Sequence, residues 1–208
     1  NEEKNIGVLL KKLLSQKLSA PFKLNKIIVV ASGCTDKTPE IVKNWEKKSR
    51  KIDLICEEKR RGKASALNII LKQAKANIIV FMGADVLPRE GSLDYLIKPF
   101  MNTVVGAVSG HPIPINSPQS LADTAACVIW DLHDLFSREI DVKLSGELFA
   151  IKRGLINKIF SKINCDDALI EFLVKEMNYK IKYAPNAIVD IKGPENFWDL
   201  LKQRRRIH

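Results

Sequence analysis

Apolar and polar positions alternate along this chain with two periods. Ile6, Leu9, Leu10, Leu13 and Leu14 recur at helical spacing, with Lys11, Lys12 and Lys17 outside that stripe. The spacing predicts a first helix, with Asn1 as its cap and Glu2 and Glu3 at the positive end of its dipole. Residues 26–31 (KIIVVA) form a short β-branched run, the pattern of a strand covered on both faces. Thr38, Pro39 and Glu40 combine a cap, a first-turn proline and an acid, and open a second helix reaching about Ser49. Residues 52–56 (IDLIC) read as a second strand. A basic loop leads to a helix through Leu67, Ile70, Leu71 and Ala74, and residues 77–82 (NIIVFM) read as a third strand.

The later pattern is less regular. It predicts a helix over 91–101, a strand over 104–109, a Pro-rich turn over 112–118 and a long helix over 118–137. One or two strands fall within 142–151, helices within 153–161 and 167–177, and strands within 179–183 and 187–191. A last helix begins near Glu195. Helix and strand alternate through the first half with short loops, so the fold class is α/β, with a mostly parallel central sheet and helices on both faces. No repeat or flexible linker divides the chain, and one domain spanning 1–208 is the economical reading.

Composition narrows the function. The 208 residues are 46% apolar and 28% charged, which excludes disorder and low complexity. A net charge of +10 calls for a negatively charged partner: a nucleotide, an anionic lipid surface or a nucleic acid. Aromatics are only 7%, and no basic-aromatic stacking motif or recognition helix occurs, so nucleic acid is not expected. No run of about 18 apolar residues is present to span a bilayer. Cys34, Cys56, Cys127 and Cys165 are scattered without a CxxC pair, and read as buried or half-buried reduced thiols. The N-terminus lacks Met and is polar, and the C-terminus runs into a helical pattern; both ends read as cut edges of a longer protein.

In parallel α/β sheets ligands bind at the carboxyl ends of strands. Three turns stand there. Ser32-Gly33-Cys34-Thr35-Asp36-Lys37-Thr38 offers a glycine turn and a following helix N-terminus, with Asp36 or Thr38 equally able to cap that helix. Glu57 to Ala64 ends in Gly62-Lys63, a phosphate-binding pair or a solvated basic loop. Gly83-Ala84-Asp85 places one carboxylate after a buried strand, as a ligand for a hard cation or as a loop cap. Together they match the chemistry of a nucleoside diphosphate.

The order of these segments resembles glycosyltransferase family 2, enzymes of the GT-A, nucleotide-diphospho-sugar transferase fold. Gly62-Lys63-Ala64-Ser65-Ala66-Leu67-Asn68 fits the family's Gly-Lys-x-x-Ala-Leu-Asn segment. Ala31 to Thr38 stands for its Asp-Asp-Gly-Ser-Thr-Asp-Gly-Thr, and Gly83-Ala84-Asp85 for its Asp-x-Asp metal motif. Val108-Ser109-Gly110 resembles the strand after the metal motif. Ser145 to Ala150 resembles the acceptor-side segment, Asp166-Asp167 the pair carrying the base, and Gln203-Arg204-Arg205-Arg206-Ile207 the Gln-x-x-Arg-Trp motif of processive members. Ala31, Ser32 and Gly83 replace acids of the family pattern, and Ile207 replaces Trp.

The resemblance implies inverting transfer of a sugar from a UDP- or GDP-linked donor to the hydroxyl of a saccharide or lipid-linked acceptor. It implies that residues 1–110 form the donor and metal half, lacking the family's first strand, and 111–208 the acceptor half. Ser32, Gly33, Asp36, Lys63, Asn68, Ala84, Asp85, Gln203 and Arg206 would bind the donor. Asp85 would hold Mg2+ or Mn2+, Asp167 would be the catalytic base, and Ser145, Gly146 and Asp166 would face the acceptor. It also implies a cytoplasmic location, against the cytoplasmic face of a membrane in the full-length protein. Residues 202–206 would meet either the donor diphosphate or an anionic membrane surface. Asp166 and Asp167 also stand where a helix cap would. A related nucleotidyltransferase and a binding-only relative are the competing readings.

Overall fold

A computed structural model describes residues 1–115, 120–159, 166–194, 198 and 201. Helix α1 (Ile6–Leu14) packs its Ile6, Leu9 and Leu10 against Val42 of α2 (Thr38–Lys48) and Ile52 of β2 (Ile52–Glu57). Strand β1 (Ile27–Ser32) runs parallel to β2, from Ile27↔Ile52 to Ser32↔Glu57. Asn1 does not cap α1, which begins at Ile6. It pairs instead with Thr35, each donating to the other at 2.9 Å.

The main sheet has the order β3 (Ile78–Met82), β6 (Leu148–Lys152), β5 (Val105–Pro114), β7 (Lys180–Ile191), β4 (Leu87–Pro88). It is mixed, where a mostly parallel sheet was expected: β5 and β7 run parallel, while β3/β6, β5/β6 and β4/β7 are antiparallel. Period-two alternation sorts its side chains. Phe81, Phe149 and Ile151 face α3 (Lys63–Gln73) and α6 (Asp166–Glu176), with Phe81 and Phe149 stacked at 4.9 Å. Leu148, Ala150 and Val189 face α4 (Ser92–Ile97) on the other side.

Several elements differ from the expectation. β1 is only half-buried, because no strand among the described residues pairs with its second edge or with that of β3. The expected turn over 112–118 begins as strand, since β5 continues through Pro112 and Pro114. Beyond Ser109 only β7 flanks β5, and the N–H of Ile115 donates to Ile191. Prolines two residues apart can therefore turn their missing donors to the open edge. The two strands expected near 179–191 are one strand with a bulge opposite Ser109/His111. No helix forms over 153–159, where Gly154 turns the chain at φ +91°. Residues 160–161 and the final helix, apart from helical Trp198 and Leu201, lie outside the described residues.

Ser120 caps α5 (Leu121–Glu139) through a reciprocal capping box with Asp123. Cys34 and Cys127 are half-buried free thiols. Cys56 is exposed, contrary to expectation, because it lies on the two-stranded ladder. No helix of the described residues is long and apolar enough to cross a membrane.

Candidate active site

The carboxyl end of β3 is the centre of the site. Met82 pairs with Leu148, and the Gly83 N–H extends that ladder by donating to the Glu147 carbonyl at 3.1 Å. This register sets the Gly83-Ala84-Asp85 turn beside the Ser145-Gly146-Glu147 turn. An added Cβ on Gly83 would lie 2.6 Å from Asp85 Oδ1 and 3.3 Å from Glu147 Oε2. Two carboxylates therefore aim at one point.

Gly146 has a similar surrounding. A Cβ there would meet Lys63 Nζ at 2.9 Å and Asp167 Oδ2 at 3.2 Å. Lys63 begins α3, after Gly62 turns the chain at φ +83°. Asp167 stands in the first turn of α6, where its Oδ1 accepts the Ala168 N–H at 2.9 Å. One oxygen takes up a first-turn N–H while the other faces Gly146.

The charges interact. Burial is the main cause that raises the Glu147 pKa above the usual carboxylate value. Asp85 and Asp167 add to it, and Lys63 opposes it. Burial also raises Glu2, followed by repulsion from Asp85, so the N-terminal segment reaches the same cluster. Asn5 donates to the Ala84 carbonyl at 2.6 Å and fixes the turn. Among the described residues, no three of His, Cys, Asp or Glu are grouped so as to hold a cation alone. Two converging carboxylates suit a hard dication whose remaining ligands come from phosphate oxygens and water.

The first turn holds the second in place. The Gly33 N–H donates to the Glu57 carbonyl at 2.9 Å, and Ser32 Oγ donates to the Lys59 carbonyl and accepts the Arg61 N–H. Gly33 has φ +57°, and its Cα is so close to Arg60 that an added Cβ would be 2.5 Å from the Arg60 nitrogen. The basic loop is thereby folded across the end of β1. The nearby Ser32 hydroxyl, and the Ser65 hydroxyl that donates to Glu57 Oε1 at 2.7 Å, hold the Glu57 carboxyl below its ordinary pKa.

The remaining expected residues have other surroundings. Asp36 accepts the Glu3 and Thr38 N–H groups at 3.0 and 3.1 Å, tying the N-terminal segment to α2. Desolvation is the largest single influence on Asp36 and opposes its charge, yet the bonds from Thr38 and Glu3 together hold its carboxyl below the ordinary value. Asn68 clamps Ile159 with two bonds at 2.7 Å, one to its carbonyl and one from its N–H. It lines a groove of about 480 Å³ with Lys72, Arg153 and Lys158, apart from the carboxylate cluster. Ser145 is buried, its N–H bound to Ser109 and its hydroxyl accepting the Glu147 N–H, so it shapes the turn from behind. Gln203, Arg206 and the side chain of Asp166 lie outside the described residues. Sequence reasoning passed over Glu147 and Glu2 as site residues; Glu147 stands in the acceptor-side segment, but its nearness to Asp85 follows from the β3/β6 register.

This layout of sheet, helices and strand-end turns is that of the GT-A glycosyltransferases. The chain belongs to glycosyl transferase family 2, whose family pattern matches residues 1–158. It is 27% identical over 202 residues to the poly-beta-1,6-N-acetyl-D-glucosamine synthase of Staphylococcus epidermidis strain ATCC 35984, a match covering 93% of this chain and 49% of the relative. The synthase of Staphylococcus aureus strain COL is 26% identical with the same coverage. The chain thus spans about half the length of the curated relatives it matches. The solved structure of the mannosyltransferase PcManGT from Pyrobaculum calidifontis, in complex with GDP-Man and Mn2+, superposes with a TM-score of 0.77 at 26% identity, over 99% of this chain and 58% of that one. The S. aureus TarS structure of residues 1–349 shares the fold, with a TM-score of 0.69 at 19% identity, over 98% of this chain and 61% of that one.

Proposed function

We propose that this chain catalyses inverting glycosyl transfer from a UDP- or GDP-linked sugar to an acceptor hydroxyl. The observation that carries the reading is the meeting of Asp85, Lys63 and Asp167 around the two glycines Gly83 and Gly146. Asp85 would hold Mg2+ or Mn2+ together with the donor diphosphate. The cation supplies Lewis-acid stabilisation of the charge that develops on the departing nucleoside diphosphate. The GDP-Man and Mn2+ bound to PcManGT support this choice of donor and metal.

Lys63 would meet the diphosphate from the first turn of α3, where helix N–H groups also favour an anion. Ser32 and Gly33 keep the basic loop against the nucleoside side of the site. Asp167 Oδ2 would take the proton of the acceptor hydroxyl as its oxygen bonds to the anomeric carbon and the bond from that carbon to the diphosphate oxygen breaks. Gly146 leaves the space in which these atoms meet, and Asn68 and Asp36 act as positioning residues. Gln203 and Arg206 would close on the diphosphate from the C-terminal side.

The acceptor is a saccharide or a lipid-linked acceptor. Leu121, Val128, Leu132 and Leu135 form an outward apolar row on α5, which favours an apolar or lipid-bearing neighbour such as the cytoplasmic face of a membrane.

Asp167→Asn tests the reading. It should reduce sugar transfer by about a thousandfold, within the range for loss of a general base, while nucleotide binding and melting temperature stay near wild type. Full turnover in that variant would end the proposal, and a wild type that binds donor without ever transferring would favour the binding-only reading.

A further inference from the structure

The family's metal motif carries two acids, and in this chain the first position is Gly83. A side chain there would compete for space with acids of two neighbouring turns. A Cβ on residue 83 would lie 2.6 Å from Asp85 Oδ1, closer than real Cβ atoms approach another atom, and 3.3 Å from Glu147 Oε2. The φ of Gly83 is not left-handed, and a side chain there would meet the end of the exposed Asp85 carboxylate, which would have to turn aside. What fills that space is the pair of carboxylates itself.

We propose that Glu147 supplies the second carboxylate of the cation site, from the neighbouring strand, in the volume a side chain at position 83 would otherwise take. This rests on the reading of Asp85 as a cation ligand given above. The hydrogen bond from Gly83 N–H to the Glu147 carbonyl makes the two residues lateral neighbours, so the position of Glu147 is set by sheet register rather than by a flexible loop. The Ser145 hydroxyl, itself buried, accepts the Glu147 N–H and fixes the turn from the other side.

Energetics agree with the geometry. Glu147 is largely withdrawn from water and feels the charges of Asp85 and Asp167, with Lys63 as the opposing cation. Like charges held this close cost free energy unless countercharge is supplied, most of all at Glu147, since Asp85 is exposed. A dication between Glu147 and Asp85 supplies it, and its preferred ligands are carboxylate and phosphate oxygens. The sequence thus keeps two acids at the metal and moves one of them from β3 to the head of β6.

The test is Mn2+ binding, read from the electron-spin signal of free Mn2+, with the purified chain alone and with saturating GDP or UDP. Glu147→Gln should weaken Mn2+ by at least about tenfold, and Asp85→Asn should weaken it further. Gly83→Asp alone should also lose affinity, because its carboxylate crowds that of Glu147. Gly83→Asp combined with Glu147→Ala should recover part of what Glu147→Ala loses, since the carboxylate returns to the position it left. Wild-type Mn2+ affinity in Glu147→Gln, with affinity lost in Asp85→Asn, would overturn the role of Glu147 and leave Asp85 standing. Unchanged affinity in Asp85→Asn, or no Mn2+ uptake by wild type with either nucleotide, would overturn the underlying reading as well.

Discussion

Lys63 and Asp167 reach the same point above Gly146 from the first turns of two different helices, at 2.9 and 3.2 Å from where a Cβ would stand. Both groups end flexible side chains, so an added methyl would push them apart without forcing the backbone. Gly146→Ala should therefore melt within a few degrees of wild type while kcat/KM falls by about a hundredfold, the scale of a 1 Å misplacement of reacting groups. Paired melting and turnover measurements check this; unimpaired turnover would show that the two side chains need not meet there.

Gly33 combines a left-handed φ with direct contact against the Arg60 backbone. Gly33→Ala meets both penalties. It should destabilise the fold by about 1–3 kcal/mol and release the basic loop from β1, so that nucleotide affinity falls too. Denaturant unfolding and a nucleotide titration give the two numbers. Gly154 is also left-handed but faces open space, and Gly154→Ala is the control: it should cost stability and spare nucleotide affinity.

The first half was legible because its evidence is local. Runs such as IIVVA and IIVFM, and the Thr38-Pro39-Glu40 start, each fix an element within a few residues. The errors came where partners far along the chain decide. Pro112 and Pro114 read as a turn, yet β5 carries them because β6 leaves its edge open there. Residues 153–161 read as a helix, whereas over 153–159 the chain is irregular and Ile156 and Ile159 anchor it in the core. Asp36 and Asn68 stand at motif positions but use their side chains on Glu3, Thr38 and Ile159, which no local pattern announces. Glu147 was hidden for the same reason: only the β3/β6 register puts it beside Asp85.

Asn68 gives that lesson a direct measurement. Its amide satisfies both backbone groups of Ile159, which is buried. Asn68→Ala should cost roughly 1–3 kcal/mol, the penalty for leaving buried polar groups without partners, and leave intrinsic nucleotide affinity near wild type. An intact fold with nucleotide affinity lost would instead place Asn68 on the donor.

His133 predicts how the fold responds to acid. It lies between the rings of Trp130 and Tyr183, and both ring nitrogens are buried with no hydrogen-bond partner among the described residues. Burial is the main cause that holds its pKa below the ordinary imidazole value. The neighbouring Lys143 backbone opposes that shift, His111 reinforces it, and the Asp134 and Asp167 carboxylates oppose it. Because the folded value is depressed, the unfolded chain takes up the proton first. The penalty is absent above about pH 6.5 and grows as pH falls toward the folded value. His133→Phe keeps a ring and removes the proton site. Melting temperatures from pH 8 to pH 5 should fall less steeply in that variant, and identical slopes would contradict the assignment.

The proposed glycosyl transfer requires first that this chain bind a nucleoside-diphosphate sugar through a divalent cation. The most direct test is a calorimetric titration of the chain with a panel of UDP- and GDP-linked sugars, with and without Mn2+. At least one donor should bind, and its affinity should fall when Mn2+ is removed and when Asp85 is changed to Asn. Binding to none of the donors, or binding indifferent to Mn2+ and to Asp85, would rule out metal-assisted donor binding at this site.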